Sequence, residues 1–413
     1  MGVYFYPRGG SAHVCRSIAR ELGANGFEVT LLSGSRPDLG EATSAAAFYA
    51  GLDVRSVEFA PAGDAPLHGS YEDRPDAPDR VLAALDDREF ERQVEAWTEP
   101  LVAAAAGADV LYLHHLTPLN EVAARSLPQL PVVGHVHGTE LLMLEQIAAG
   151  APPGWTHAEA WAARLRGWAA GCARIVVNDA AGLERAAALL EVEEERFDYI
   201  PNGADPIFTP GPVDRRALWR RHLDGDLAAL EGVVLLSVGR FTEVKRLPLL
   251  IEAFARAEER LDEAAALVLI GGHPGEWEGE HPREAIARTG ARNVFLAGWH
   301  GHEELPPFLR AGDVLVHASV REQFGQVLVE AMACGLPVIA VDRAGPASIV
   351  DDPETGWLVE PDDLEGLTRA IIAAVGDREE RRRRGERSRE KAGRCYSWAR
   401  IGGELAEVVR LAS

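Results

Sequence analysis

Two glutamates with seven residues between them, in Glu322-Gln-Phe-Gly-Gln-Val-Leu-Val-Glu330, carry the strongest chemical signal in the chain. The run follows the apolar stretch Val314–His317, which reads as a strand, and leads into the helix-like run Val327–Ala333. Phe324-Gly325 then forms the tight turn feeding that helix, whose first amides are unsatisfied donors suited to a phosphate or sugar oxygen. Carboxylates so placed can grip different parts of one hydroxyl-rich ligand, whereas an isolated glutamate pair would be exposed helix charge.

A second signal is Ser237-Val-Gly-Arg-Phe-Thr-Glu-Val-Lys245, directly after the apolar strand Val233–Val238. It puts a glycine turn and two cations, Arg240 and Lys245, where a diphosphate leaving group would gain charge as its bond breaks. In the first half, Tyr6-Pro-Arg-Gly-Gly-Ser-Ala-His13 joins a strand to a helix, and Gly9 and Gly10 let backbone approach a ligand closely. His135-Val-His137-Gly-Thr-Glu140 ends the strand Pro131–Val136. Its two histidines share a strand face, but no cysteine or third histidine lies at ligand spacing, so no metal site is expected. His137 reads as a sugar or acceptor contact, and His114-His115 as ordinary packing.

The elements that must position these residues alternate as β and α for nearly the whole length. Strands are expected at Val3–Tyr6, Glu28–Leu32, Val110–Leu113, Pro131–Val136 and Arg174–Val177 in the first half. In the second half they are expected at Val233–Val238, Ala266–Ile270, Val294–Leu296, Val314–His317 and Pro337–Val341. A helix is expected over Ala12–Gly23. Both halves are doubly wound α/β units, which place ligands at the carboxyl ends of their strands. Pro201–Pro212, with four prolines and two glycines, is the candidate connection between them. The Glu- and Arg-dense run Asp377–Arg389 reads as a solvated helix face, and Trp398–Leu411 as an amphipathic helix.

The 413 residues suit two domains, and 47% apolar with 26% charged residues is ordinary for a soluble enzyme. A formal net charge of -22 repels nucleic acid and anionic lipid surfaces, so any anionic ligand depends on a few placed cations. Four scattered cysteines and the lack of a signal peptide or a membrane-spanning apolar stretch place the protein in a reducing cytoplasm.

Taken together, these segments resemble glycosyltransferase family 4, retaining enzymes of the GT-B fold. The resemblance runs almost end to end and is densest from Ile200 to Val359. Its landmarks are the glutamate pair followed by Ala-Met-Ala-Cys-Gly-Leu-Pro-Val, then Ile200-Pro-Asn-Gly-Ala-Asp205, the Arg240/Lys245 loop, and Thr355-Gly-Trp-Leu-Val359. It implies two Rossmann-like domains facing a central cleft. Residues 1–205 would bind acceptor, 206–395 the nucleotide sugar, and 396–413 would form a helix returning to the first domain.

Residue by residue, Arg240 and Lys245 match the pair that binds the donor diphosphate. Glu322 matches the carboxylate on the donor sugar, beside the Phe324–Gly325 backbone, and Glu330 the one holding the ribose. His137 matches the histidine facing the transferred sugar, Gly10 the glycine whose amide nears the phosphate, and Trp299 lies where the base is recognised. The implied reaction is front-side displacement of a hexose from a nucleotide diphosphate, UDP-linked, onto a hydroxyl acceptor, without metal or other cofactor.

The acceptor is expected to be a soluble small molecule read by the irregular stretches Gly63–Arg74 and Glu140–Trp155. Departures from the family pattern are Gly271-Gly-His-Pro-Gly275, the Trp277–His281 stretch, the early first strand, and Ser348 where a glutamate is common. A catalytically silent nucleotide-sugar-binding partner and a nucleotide-sugar epimerase are the alternatives. An oxidoreductase is disfavoured by the absence of a full GxGxxG with a following ribose acid.

Overall fold

The computed structural model describes residues 1–59, 66–72, 79–272, 277–350 and 354–413. Parallel pairing organises the strands into two large sheets, one in each of two units. The first unit comprises Met1–Asn202 with Trp398–Ser413, and the second Gly203–Ser397.

The first sheet contains β1 (Gly2–Val3), β2 (Thr30–Ser35), β3 (Asp53–Glu58), β6 (Leu111–His114), β7 (Val132–Val136), β8 (Arg174–Val177) and β9 (Phe197–Tyr199). The intervening β4 (Gly69–Ser70) and β5 (Arg80–Val81) form a separate two-stranded ladder. Spatial order in the large sheet is β3-β2-β1-β6-β7-β8-β9, all parallel. The order reverses between β1 and β6, which opens a crevice at their carboxyl ends.

The second sheet contains β10 (Val233–Gly239), β11 (Ala265–Gly271), β12 (Val294–Gly298), β13 (Val314–His317), β14 (Val338–Val341) and β15 (Gly356–Val359). Its order is β12-β11-β10-β13-β14-β15, again all parallel, with the reversal between β10 and β13. Helices cover both faces of such a sheet, which is why β10 and β11 read as largely apolar runs and are buried along nearly their whole length.

In the first unit, the Gly9–Ala24 helix buries Val14, Ile18 and Leu22. These side chains pack with Ile401, Leu405 and Val409 of the Trp398–Ala412 helix, and with Tyr112, Val133 and Val176 of the sheet. Backbone approach there is close: a Cβ on Gly402 would lie 2.5 Å from the Cβ of Glu21.

Several sequence expectations are corrected. β1 stops at Val3 instead of running to Tyr6, because Tyr4 turns inward and its hydroxyl donates to Leu67 O at 2.8 Å. β2 is shifted to Thr30–Ser35, and the first helix begins at Gly9, so both Gly9 and Gly10 belong to its opening turn. Most of Glu140–Trp155 is not irregular: a helix spans Thr139–Gly150. The Asp377–Arg389 run lies on the Arg378–Cys395 helix, yet Arg381 is buried and donates to the carbonyls of Ala374 and Val375 at 2.7 Å. Of the stretch Gly63–Arg74, residues 63–65 and 73–74 lie outside the described residues, as do residues 273–275 of the second-unit glycine turn.

Candidate active site

In the second unit the site is built at the β10/β13 reversal. β10 delivers the Arg240–Lys245 loop, and β13 ends in His317, five residues before Glu322. The loop's three-residue turn Glu243–Lys245 brings the Lys245 ammonium 2.5 Å from Glu322 Oε2. His317 Nε2 lies 3.1 Å from the same oxygen. Burial alone would raise the Glu322 carboxyl, but the Lys245 charge and the His317 ring outweigh it and hold the group well below the usual carboxylate range. Burial also lowers the His317 imidazole, assisted by Lys245. A small cavity lined by Gly239, Arg240, Lys245 and His317 opens beside the cluster, and Arg240 is exposed at its mouth.

The turn before the next helix depends on Gly325, whose φ of +100° is the left-handed region, and whose added Cβ would meet Leu328 Cδ1 at 2.8 Å. It caps the Gln326–Ala333 helix without a side-chain hydrogen bond. Phe324 beside it is a core residue, edge-on to Tyr396 at 6.0 Å, so its backbone alone is available to a ligand.

Glu330 occupies a different neighbourhood from Glu322. It is 3% exposed, with its Oε1 lacking a hydrogen-bond partner and the His302 ring 3.6 Å away. Burial pushes its carboxyl up to about 8, against the Gln326 side chain, which lowers it. Gln326 is itself anchored, donating to Gly203 O at 2.7 Å. This is a buried carboxyl with one oxygen open to a hydrogen bond, unlike an exposed helix charge. Trp299, 54% exposed, follows β12. Ser348, on the Ala344–Ile349 helix, is within 3.4 Å of Ala344 O.

In the first unit, β6 and β7 bring four histidines together. His135 and His137 stack at 4.2 Å between centroids and 9° between planes. His114 Nδ1 lies 2.9 Å from His137 Nε2, and the Tyr112 hydroxyl 2.9 Å from His135 Nδ1. Single ring nitrogens of His114, His135 and His137 all lie within 4.8 Å of one another. The expectation of no third histidine at ligand spacing is therefore corrected: β6 supplies His114, 21 residues upstream of His135, through its pairing with β7. Near-parallel stacking of His135 on His137 does not aim their in-plane lone pairs at one point, so this arrangement carries no metal assignment. Burial keeps all three imidazoles neutral by lowering their basicity. Gly10 is exposed in the first turn of its helix, at the carboxyl end of β1.

Two family models divide the chain: one described as Glycosyltransferase Family 4 matches residues 8–208, and one described as Glycosyl transferases group 1 matches residues 225–391. The chain belongs to the family 4 glycosyltransferases. Among relatives of this enzyme, D-inositol 3-phosphate glycosyltransferase of Corynebacterium kroppenstedtii is 28% identical over 97% of this chain and 84% of its own length. Sucrose-phosphate synthase of Thermosynechococcus elongatus has the same fold, with a TM-score of 0.74 at 22% identity over 99% of this chain and 98% of that one. Anabaena HepE in complex with UDP-glucose superimposes with a TM-score of 0.70 at 19% identity, over 99% and 98% of the two chains. The glycosyltransferase thus has the GT-B fold of two parallel α/β units. Among its described residues no helix is long and apolar enough to cross a membrane.

Sequence reasoning about this glycosyltransferase missed His317, His302, Gln326, His115 and Glu140 as members of these clusters. His317 ended a recognised strand, and Glu140 stood in the quoted His137 run, so strand-end position was the signal that could have found both.

Proposed function

We propose that this glycosyltransferase moves a hexose from a UDP-linked donor to the hydroxyl of a soluble small molecule, with retention at the anomeric carbon. The observation that carries the reading is the Lys245–Glu322–His317 cluster at the β10/β13 reversal, with Arg240 beside it. The two cations face a diphosphate there, which removes the need for a metal to balance its charge. Glu322, ionised and held by Lys245, accepts hydrogen bonds from sugar hydroxyls, and Glu330 accepts them from the ribose. His137 faces the transferred sugar as a neutral imidazole, and Gly10 offers its amide to the phosphate. Trp299 stands beside the base.

In the step itself, the bond from the anomeric carbon to the phosphate oxygen breaks while the acceptor oxygen forms its bond on the same face. The acceptor's proton passes to the departing phosphate oxygen, so no side-chain base is required. The complex of the similarly folded Anabaena HepE with UDP-glucose supports the donor class. The name of the Corynebacterium relative, with its inositol phosphate acceptor, supports a small polyol-like acceptor.

The test is nucleotide release from a panel of UDP-, GDP-, ADP- and dTDP-sugars by wild type and Glu322→Ala. Slow release from a UDP-sugar, lost in the variant, is the expected result. Release from another base overturns the UDP assignment. Tight binding without turnover, even with candidate polyol acceptors supplied, points to a catalytically silent partner.

A further inference from the structure

The residue that follows β6 adopts a backbone conformation that side chains other than glycine rarely take. His115 has φ +64°. From that position its amide donates to His135 O at 2.8 Å, and its ring nitrogen Nδ1 donates to Glu140 Oε1 at 2.8 Å. Glu140 is fully buried in the first turn of the Thr139–Gly150 helix. Its Oε2 also accepts from the Thr139 hydroxyl at 3.3 Å. Burial pushes this carboxyl up, yet the neighbouring His115 ring and nearby backbone amides prevail and hold it below its ordinary range. The His115 ring sits 4.4 Å from the His137 ring, and His114 reaches His137 Nε2 from the other strand residue.

Burying a polar pair such as His115 and Glu140 adds little net stability, and a left-handed histidine subtracts from it. Both features converge on the ring of one residue, His137. We propose that Glu140 and His115 are positioning residues for His137, fixing its imidazole in the orientation used against the donor sugar. The functional half of this proposal rests on the donor-facing reading of His137, and the geometric half does not.

The variants are Glu140→Gln, which keeps the shape but removes the charge, and His115→Asn, which tolerates the left-handed backbone and retains a donor. The unliganded protein, labelled with 15N in its histidine rings, is compared with both by NMR. UDP release from UDP-glucose is measured in the same variants, alone and combined with His137→Ala, with UDP affinity followed by calorimetry.

The His137 ring resonances are expected to shift and broaden in Glu140→Gln, and less so in His115→Asn. Turnover falls tenfold or more while UDP affinity stays within twofold. Adding Glu140→Gln to His137→Ala costs nothing further, because the effect passes through His137. Unchanged His137 resonances in the folded variants overturn the proposal, whether or not UDP-glucose is turned over. An equal loss of turnover in both backgrounds also overturns it, since that is what general destabilisation produces. Wild-type turnover by His137→Ala would instead refute the donor-facing reading, and the ring resonances would still decide the positioning.

Discussion

Lys245 and Glu322 neutralise each other before any ligand arrives, and this sets what their loss does. Removing the ammonium in Lys245→Ala takes away a positive charge aimed at the leaving group and leaves Glu322 with the His317 ring, 3.1 Å away. Loss of one such stabilising group costs about 100- to 1000-fold in turnover. A folded Lys245→Ala enzyme is therefore expected to show that drop in nucleotide release, and turnover within threefold of wild type would remove Lys245 from the site. Glu330 makes the opposite trade between stability and function. Its carboxyl titrates near 8 in the folded chain because burial disfavours the charge, whereas the unfolded chain releases that proton in the ordinary carboxylate range. The folded state thus binds the extra proton between those values. Its stability is fully present below the unfolded value and is lost as pH rises through about 8. Glu330→Gln removes this penalty, so its melting temperature should exceed wild type by a margin that widens from pH 5 to pH 8.5. At full ionisation the difference is on the order of 3–5 kcal/mol. UDP affinity, measured by calorimetry, should weaken by about 1–3 kcal/mol in the same variant as ribose hydrogen bonds are lost. A constant melting-temperature margin across that pH range would contradict the buried, protonated state.

At the scale of elements, the arginine-rich helix shows how charge in a sequence can mislead. Arg382 pairs on the surface with Glu379 and Glu386, as a solvated helix face requires. Its neighbour Arg381 turns inward to the carbonyls at the end of the Leu364–Gly376 helix, where they lack intrahelical partners. Arg381→Ala should cost about 1–3 kcal/mol in denaturant unfolding, by stranding buried carbonyls. Arg382→Ala should change stability by less than about 0.5 kcal/mol; equal effects would show that the inward hydrogen bonds contribute nothing. The same contrast separates what was legible in the sequence from what was not. Buried parallel strands such as β10 and β13 are largely apolar runs, and their carboxyl ends locate Lys245 and Glu322, as the carboxyl end of β7 locates His137. Edge strand β3, Asp53–Glu58, carries charged residues and is mostly exposed, so no apolar signal marks it. β9 is three residues long, too short for periodicity to register. The histidine cluster escaped because His114 meets His137 through strand pairing, which depends on sheet order and register. Glu140–Trp155 reads as an irregular acceptor stretch from its Pro and Gly content, but those residues cluster at Gly150–Gly154 and the segment is preceded by Gly138. That glycine, at φ +98°, instead starts a helix.

Across the whole molecule, the last sixteen residues complete the first unit although nearly two hundred residues of the second unit precede them. In the Trp398–Ala412 helix, Leu405 is fully buried, in a cluster with Val14, Ile18, Tyr112, Val133 and Val176. The sheet face and the Gly9–Ala24 helix therefore cannot bury these side chains until the end of the chain arrives. Contacts so distant in sequence carry a large closure entropy, so the first unit depends on the apolar area that this helix covers. Leu405→Ala should destabilise the protein by about 2–5 kcal/mol, the range for truncating a core leucine. Hydrogen exchange can tell which unit bears that cost. Amides of β7 and β8 should lose protection in the variant, while those of β13 and β14, whose core lies within Gly203–Ser397, keep theirs. Equal loss in both sheets would mean that the two units unfold as one cooperative body. Loss confined to the first would mean that the terminal helix belongs energetically, as well as spatially, to the unit that carries His137.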